Sequence, residues 1–231
     1  MAASNPAVTV NVAGLASTKY SGIQTIITDF VTDTVQGFPY SFFRLRETVR
    51  GNGIETYNMQ MTPNYGSAVD FTDTDNYWDN VNAVQDEAAT DAHWGAEKTY
   101  DYFQTVFNRN SIDNMGFKLV NYVHANLPLI DPNYGNNYNA FWNGSCMTYG
   151  DGNSFNGPMV ALDIIGHEIT HGLDEKTCNL TYWGESGALN EGFCDIFATC
   201  IEHFAKPAEA NWIKAEDVGS VRSLSDPKLF G

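Results

Sequence analysis

Gly166-His167-Glu168-Ile169-Thr170-His171-Gly172 is the stretch on which the reading of this 231-residue chain turns. On an α-helix, residues four apart share a face and lie about 6 Å apart along the axis, so His167 and His171 can converge on one ion. Neutral imidazoles suit zinc, and a carboxylate beside the first of them is placed to take a proton from metal-held water. The pattern H-E-x-x-H therefore reads as a metal-assisted hydrolysis motif on a helix. A catalytic zinc takes three protein donors and keeps one position open. The third donor falls 20 residues past His171, at Glu191 within Gly187-Ala188-Leu189-Asn190-Glu191-Gly192-Phe193-Cys194-Asp195. Leu189, Phe193, Ile196, Phe197, Cys200, Ile201 and Phe204 recur at helical spacing, which predicts a second amphipathic helix with Ser186 as its N-cap. Glu191 and Asp195 then share a face. Glu191 is placed to bind the metal, and Asp195, one turn on, to accept the free ring N–H of a metal-binding histidine.

Composition bounds the rest. With 43% hydrophobic residues the chain can build a sizeable core. Its formal charge of -16, with only 12 Lys and Arg, argues against a nucleic-acid surface. No apolar run approaches the roughly 18 to 20 residues of a membrane span, and the first fifteen residues lack the basic and apolar regions of an export signal. The four cysteines, Cys146, Cys178, Cys194 and Cys200, show no C-x-x-C spacing, so a cysteine zinc site is not expected. Cys194 and Cys200 stand about 9 Å apart along one predicted helix, too far to bridge within it. If a disulfide forms, Cys146 to Cys178 is the favoured pairing; the alternative is four thiols acting as small hydrophobes.

Up to about residue 80, alternation predicts strands. Phe43, Leu45 and Glu47 oppose Arg44, Arg46 and Thr48, and the turn residues Arg50-Gly51-Asn52-Gly53 precede Ile54-Glu55-Thr56-Tyr57, which predicts a hairpin. From Thr90 or Asp91 as cap, Ala96, Tyr100, Phe103 and Phe107 repeat at helical intervals. Residues 117–150 return to short extended runs, and Gly157-Pro158 is expected to open the helix that carries His167. The fold class expected is α+β, with a β-rich N-terminal lobe over residues 1–157. Residues 158–231 would hold the metal helix and the start of a mainly helical C-terminal lobe, with the active site in the cleft between the two.

Several blocks in fixed order carry a resemblance: His167-Glu168-Ile169-Thr170-His171, Tyr182-Trp183-Gly184-Glu185-Ser186-Gly187-Ala188-Leu189-Asn190-Glu191, Asn139-Ala140-Phe141-Trp142-Asn143-Gly144-Ser145, and Arg222-Ser223-Leu224-Ser225-Asp226-Pro227. Together they resemble the thermolysin-like neutral metalloproteases. The resemblance implies a zinc endopeptidase, secreted as a precursor whose leader and propeptide are removed, acting on protein or peptide substrates. It also implies residue roles. Tyr182 would donate to the oxyanion, and Asn190 would orient the second zinc histidine. Asn139 and Ala140 would pair with an extended substrate, and Arg222 would contact a substrate carbonyl. Phe155, Ile164, Val218 and Val221 would line a pocket for a bulky apolar residue just after the scissile bond.

Calcium is the second metal implied. Asp163, Glu202 and Glu216 match the family's buried calcium carboxylates, and Asn211 stands where an aspartate is usual, so at most one ion is expected there. Asp73 and Asp75 resemble a further surface calcium site. The chain ends at Gly231, where the family continues into a helical lobe whose histidine stabilises the tetrahedral intermediate. Such a chain is expected to be an impaired catalyst, since one lost donor costs about 10² to 10³ in rate, and to expose apolar surface on the Glu191 helix. His93, His124 and His203 show no motif that replaces that histidine. From another class of function, a zinc-stabilised module that grips peptides without cutting them is the alternative. A zinc aminopeptidase also uses H-E-x-x-H but is not supported by the Asn139 and Arg222 blocks.

Overall fold

Thr-, Val- and Ile-rich alternation at the N-terminus forms a long antiparallel ribbon in the computed structural model, which describes residues 8–35, 38–79, 86–219 and 222–230. Strands β1 (Val8–Ser17), β2 (Ile23–Val35) and β3 (Phe38–Arg44) run antiparallel in sequence order, with Val8 opposite Thr32 and Asp29 opposite Arg44. Next come β4 (Arg46–Glu47) and β5 (Ile54–Asn58), the hairpin that the sequence predicts, with Arg46 opposite Glu55. The short strands β6 (Val69–Asp70), β7 (Thr72–Asp73) and β8 (Tyr77–Trp78) patch the sheet edges. Helix α1 (Asp86–Phe107) leads to β9 (Leu119–Ala125), the short α2 (Leu127–Ile130), β10 (Ala140–Trp142) and β11 (Met147–Gly150). The second sheet has the order β10-β11-β9-β5-β4, which leaves β10 as an edge strand. Helices α3 (Leu162–Lys176) and α4 (Gly184–Ala205) follow, and the short pair β12 (Ile213–Lys214) and β13 (Arg222–Ser223) closes the described chain. This is the expected α+β architecture.

One core joins sheets and helices, with Ile26, Leu45, Ile54, Trp94, Leu119, Met147, Tyr149 and Ile165 all buried in it. Small residues set the helix spacing. A Cβ on Gly95 of α1 would lie 2.5 Å from Ile165 of α3, and one on Gly166 would lie 3.3 Å from the Ala198 backbone of α4. Backbones can approach this closely only where side chains are absent or small.

The helix boundaries correct the sequence reading. Helix α1 begins at Asp86, so Thr90 and Asp91 are not its cap but sit inside it, fully buried. Thr90 Oγ1 donates to Ser17 O at 2.6 Å and Asp91 Oδ2 accepts the Tyr20 amide at 2.6 Å, which pins the β1–β2 turn to the helix. Pro158 precedes α3 by four residues, and Ala161 occupies the N-cap. Helix α4 starts at Gly184 after Trp183, so Ser186 lies in its first turn rather than capping it. Its inward residues are Asn190, Cys194, Ala198, Ile201 and Glu202, while Leu189, Phe193 and Ile196 are exposed. The favoured Cys146–Cys178 bridge is absent. Cys146 is a buried thiol, and the exposed Cys178 turns its Sγ to Asp174 Oδ1 at 2.8 Å.

Burial pushes the Asp91 carboxyl up to about 7, against the pull of the Tyr20 amide. The folded state therefore holds this proton more tightly than the unfolded chain, and stability falls as pH rises from about 4 through 7. Asp91→Asn keeps an acceptor for Tyr20 and removes the titration. Urea unfolding at pH 5 and pH 8 should show a smaller loss of stability at the higher pH in the variant, by on the order of 1 kcal/mol or more.

Candidate metal centre

His167 and His171 project from one face of α3, their rings 4.6 Å apart at near right angles, as an i, i+4 pair must. Glu191 comes across from α4, which the contact at Gly166 holds close. Its carboxylate lies 3.2 Å from His167 Nε2 and 3.5 Å from His171 Nε2. Tetrahedral zinc with bonds of about 2.0 to 2.1 Å separates its donors by roughly 3.3 Å, so two imidazoles and a carboxylate at these spacings fit that ion. Each ring has an oxygen behind it. Asp195 Oδ1 sits 2.8 Å from His167 Nδ1, and Asn190 Oδ1 sits 2.7 Å from His171 Nδ1. Each leaves Nε2 aimed at the junction.

Charge follows this geometry. Burial works against protonating His167, yet its contacts with Asp195 and Glu191 outweigh burial and raise its pKa. The His167 hydrogen bond, with help from Tyr182, draws the Glu191 carboxyl down to about 2. Burial opposes ionisation of Asp195, but His167 and a bidentate Arg222 at 2.8 and 3.0 Å hold it well below the usual carboxylate range. The buried Lys214 adds its Nζ at 3.6 Å. Such a concentration of perturbed groups in a cleft marks a candidate functional site.

The cleft has a volume of about 710 Å³ and is lined by Asn139, Ala140, Ile164, Glu168, Tyr182 and Arg222 among others. Glu168 Oε2 accepts the Trp142 amide at 3.0 Å, so β10 forms the wall opposite the metal helix. Tyr182, 67% exposed, donates its hydroxyl to Glu191 Oε1. The four expected pocket residues do not all converge. Ile164 lines the cleft, Phe155 is 93% exposed outside it, Val218 is buried and does not line it, and Val221 lies outside the described residues. His93 is buried between Thr56 and Ile27, His124 pairs with Asp151 at 2.7 Å, and His203 packs at a tilt against Trp212; none lines the cleft.

At the other end of the α3–α4 contact, Asp163, Glu202, Glu216 and Asp217 gather. Burial, reinforced by Asp163 and Glu216, pushes Glu202 up to about 7, and its buried Oε2 has no hydrogen-bond partner. Asp163 Oδ2 accepts the Ala215 amide, and Asn211 Nδ2 donates to Glu216 Oε1 at 2.6 Å. An orphaned carboxylate oxygen beside further acids suits a hard cation. Asp73 and Asp75 are engaged locally, Asp73 accepting the Asp75 and Asn76 amides and Asp75 the Tyr77 amide.

Sequence reasoning missed Asp174 and Cys194. Asp174 accepts Asn190 Nδ2 at 2.8 Å, and Cys194 Sγ lies 3.2 Å from His171 Nδ1; the sulfur is near both histidines but behind the His171 ring, away from the Nε2 junction. The only sequence signal was position: Asp174 is one turn past His171, and Cys194 one turn past Asn190.

Helix-borne H-E-x-x-H, faced by a carboxylate from the next helix and opening on a strand edge, is the pattern of a metallohydrolase centre. The chain belongs to the thermolysin metallopeptidase family. The family's catalytic-domain pattern matches residues 16–175 and its alpha-helical-domain pattern residues 178–230. Bacillolysin of Brevibacillus brevis is 41% identical over 201 residues, which cover 83% of this chain and 34% of that protein. The transglutaminase-activating metalloprotease of Streptomyces mobaraensis is 44% identical over 174 residues, 73% of this chain and 21% of that protein. The structure of the precursor of protealysin, a metalloproteinase from Serratia proteamaculans, aligns with a TM-score of 0.56 at 30% identity, over 69% of this chain and 47% of that one. The chain thus spans about a third or less of the length of these curated relatives.

Competition with a chelating dye checks the donor set. One zinc per chain is expected. Glu191→Ala should weaken it by more than the roughly 10- to 100-fold typical of losing a supporting partner, and Glu168→Ala by far less.

Proposed function

We propose that this chain carries the zinc centre and substrate edge of an endopeptidase that cuts protein or peptide chains. The observation that carries the reading is the convergence of both Nε2 atoms on one Glu191 carboxylate, beside the edge strand β10. His167, His171 and Glu191 would hold zinc, which when bound supplies Lewis acidity to water and to the substrate carbonyl. Asp195 and Asn190 hold the two imidazoles in register. Glu168, fixed by the Trp142 amide, accepts a proton and returns it to the leaving nitrogen. Tyr182 is exposed enough to exchange Glu191 for the developing oxyanion. Ala140 offers backbone groups of the β10 edge to an extended substrate, Asn139 its side chain, since its carbonyl already accepts the Gly150 amide, and Arg222 stands at the cleft rim. The preference for a bulky apolar residue after the scissile bond rests on Ile164 of the four residues named for it.

Residues 1–157 serve as the β-rich lobe and 158–231 as the metal-bearing lobe in this reading. None of His93, His124 and His203 lines the cleft, so among the described residues Tyr182 is the oxyanion donor in this reading. No helix among the described residues is long and apolar enough to cross a membrane. Secretion and a propeptide partner follow from the family resemblance, and a nucleic-acid partner is disfavoured by the charge of -16.

Casein and a quenched peptide with leucine after the scissile bond, assayed with zinc, test the reading. Glu168→Ala should lose at least about 10² in rate while keeping its zinc. Equal turnover in both proteins, or peptide binding without turnover in either, would instead favour the non-catalytic peptide-binding module.

We further propose one calcium at Asp163, Glu202 and Glu216, with Asn211 lowering the charge below what two ions need. Millimolar calcium should raise the thermal midpoint by several degrees, and Glu202→Gln should abolish most of that rise. A midpoint indifferent to calcium would remove this site, and Asp73 and Asp75 would remain an ordinary turn.

A further inference from the structure

Behind the proposed metal centre lies a buried hydrogen-bond chain whose direction depends on one carboxylate. Asp174 is 6% exposed and stands on α3 one turn past His171. Three groups face it, and all are donors: Asn190 Nδ2 at 2.8 Å, the Leu180 amide at 3.0 Å and the Cys178 thiol at 2.8 Å. Asn190, equally buried, meets His171 Nδ1 with Oδ1 at 2.7 Å. An amide side chain is nearly symmetric in shape, so shape alone does not decide which end faces the histidine. A carboxylate accepts only, and does decide it.

We propose that Asp174 is a positioning residue that sets the orientation of Asn190 and, through it, the tautomer of His171. This rests on the reading of His171 as a metal ligand. Asp174 admits only the NH₂ end of Asn190, and Oδ1 is thereby turned to His171. An oxygen there requires a proton on Nδ1, which leaves Nε2 bare and aimed at the junction with Glu191. Cys194 Sγ also faces Nδ1 at 3.2 Å, but its S–H is directed to Asn190 Oδ1 at 3.7 Å, so toward Nδ1 it presents a weak sulfur acceptor that favours the same tautomer. An asparagine at 174 offers either an acceptor or a donor. Asn190 can then flip and present its NH₂ to Nδ1, which puts the proton on Nε2, where it competes with a cation.

A mutant cycle read by zinc affinity separates this role from a structural one. Asp174→Asn and Asn190→Ala should each weaken zinc by about 10- to 100-fold. The double variant should bind no more weakly than Asn190→Ala alone, because Asp174 acts only through Asn190. Thermal unfolding of the metal-free proteins shows that each variant is folded. Affinity of Asp174→Asn equal to that of the unaltered chain, or losses that multiply in the double variant, would overturn the proposal. Nitrogen NMR of the unaltered, metal-free chain, at a pH where imidazoles are neutral, needs no variant to fold; it should place the His171 proton on Nδ1, and a proton on Nε2 would also overturn it. If the unaltered chain takes up no zinc, it is the metal reading that fails, and the NMR result still decides the tautomer.

Discussion

Everything at the site depends on how closely α3 and α4 lie. A carboxylate from one helix reaches two imidazoles of the other only if the backbones approach at the level of Gly166, where a Cβ would meet Ile201 at 3.0 Å and the Ala198 backbone at 3.3 Å. A Cβ at Gly166 would make its neighbours on α4 give by a few tenths of an ångström, and Glu191, which makes its 3.2 and 3.5 Å contacts from the same helix, would feel that shift. Packing, rather than the chemistry of the donors, sets the tolerance of the centre. On the other side of α3, Gly95 of α1 does the same against Ile165, so the metal helix is clamped between two neighbours. Rigid support of this kind is what a preorganised site needs.

Much of this was legible because helical periodicity is strict. Four-residue spacing alone put His167 beside His171 and Glu191 beside Asp195, and the structure joins the two pairs. What periodicity could not say is which face of α4 turns inward. Leu189, Phe193 and Ile196 form the more apolar stripe, yet they are exposed, while Asn190, Cys194 and Ala198 are buried. Closeness to α3 selects small residues and hydrogen-bonding ones, and hydrophobicity is the wrong index for such an interface. Asp174 was illegible for a related reason: a lone acid has meaning only once its three donors are in place, and two of them come from the loop after α3. The expected pocket failed in part because Phe155 sits in an irregular segment, whose course no periodic pattern records.

Polarity along the hydrogen-bond chains extends the same principle from packing to protons. His167 is backed by a carboxylate, Asp195, which itself takes a bidentate Arg222 and lies 3.6 Å from Lys214. His171 is backed by an amide, whose direction needs a carboxylate one step further out. The two imidazoles thus reach the same tautomer by different routes, one charged and one neutral. The neutral route adds no negative charge next to Glu191 and Glu168, which matters in a chain already at -16.

The acid cluster at Asp163 and Glu202 ties that charge back to the helix contact. Asp163 lies one turn before His167 on α3, and Glu202 lies about two turns beyond Asp195 on α4, so the same pair of helices carries both clusters. Burial, with the neighbours Asp163 and Glu216, pushes Glu202 up to about 7, so the acids of this cluster oppose one another's ionisation. Lys214 is placed between the two sites, its Nζ 3.4 Å from the Asp163 carbonyl and 3.6 Å from Asp195. A cation at the proposed calcium site would relieve the repulsion at one end of the contact and so steady the spacing on which Glu191 depends at the other.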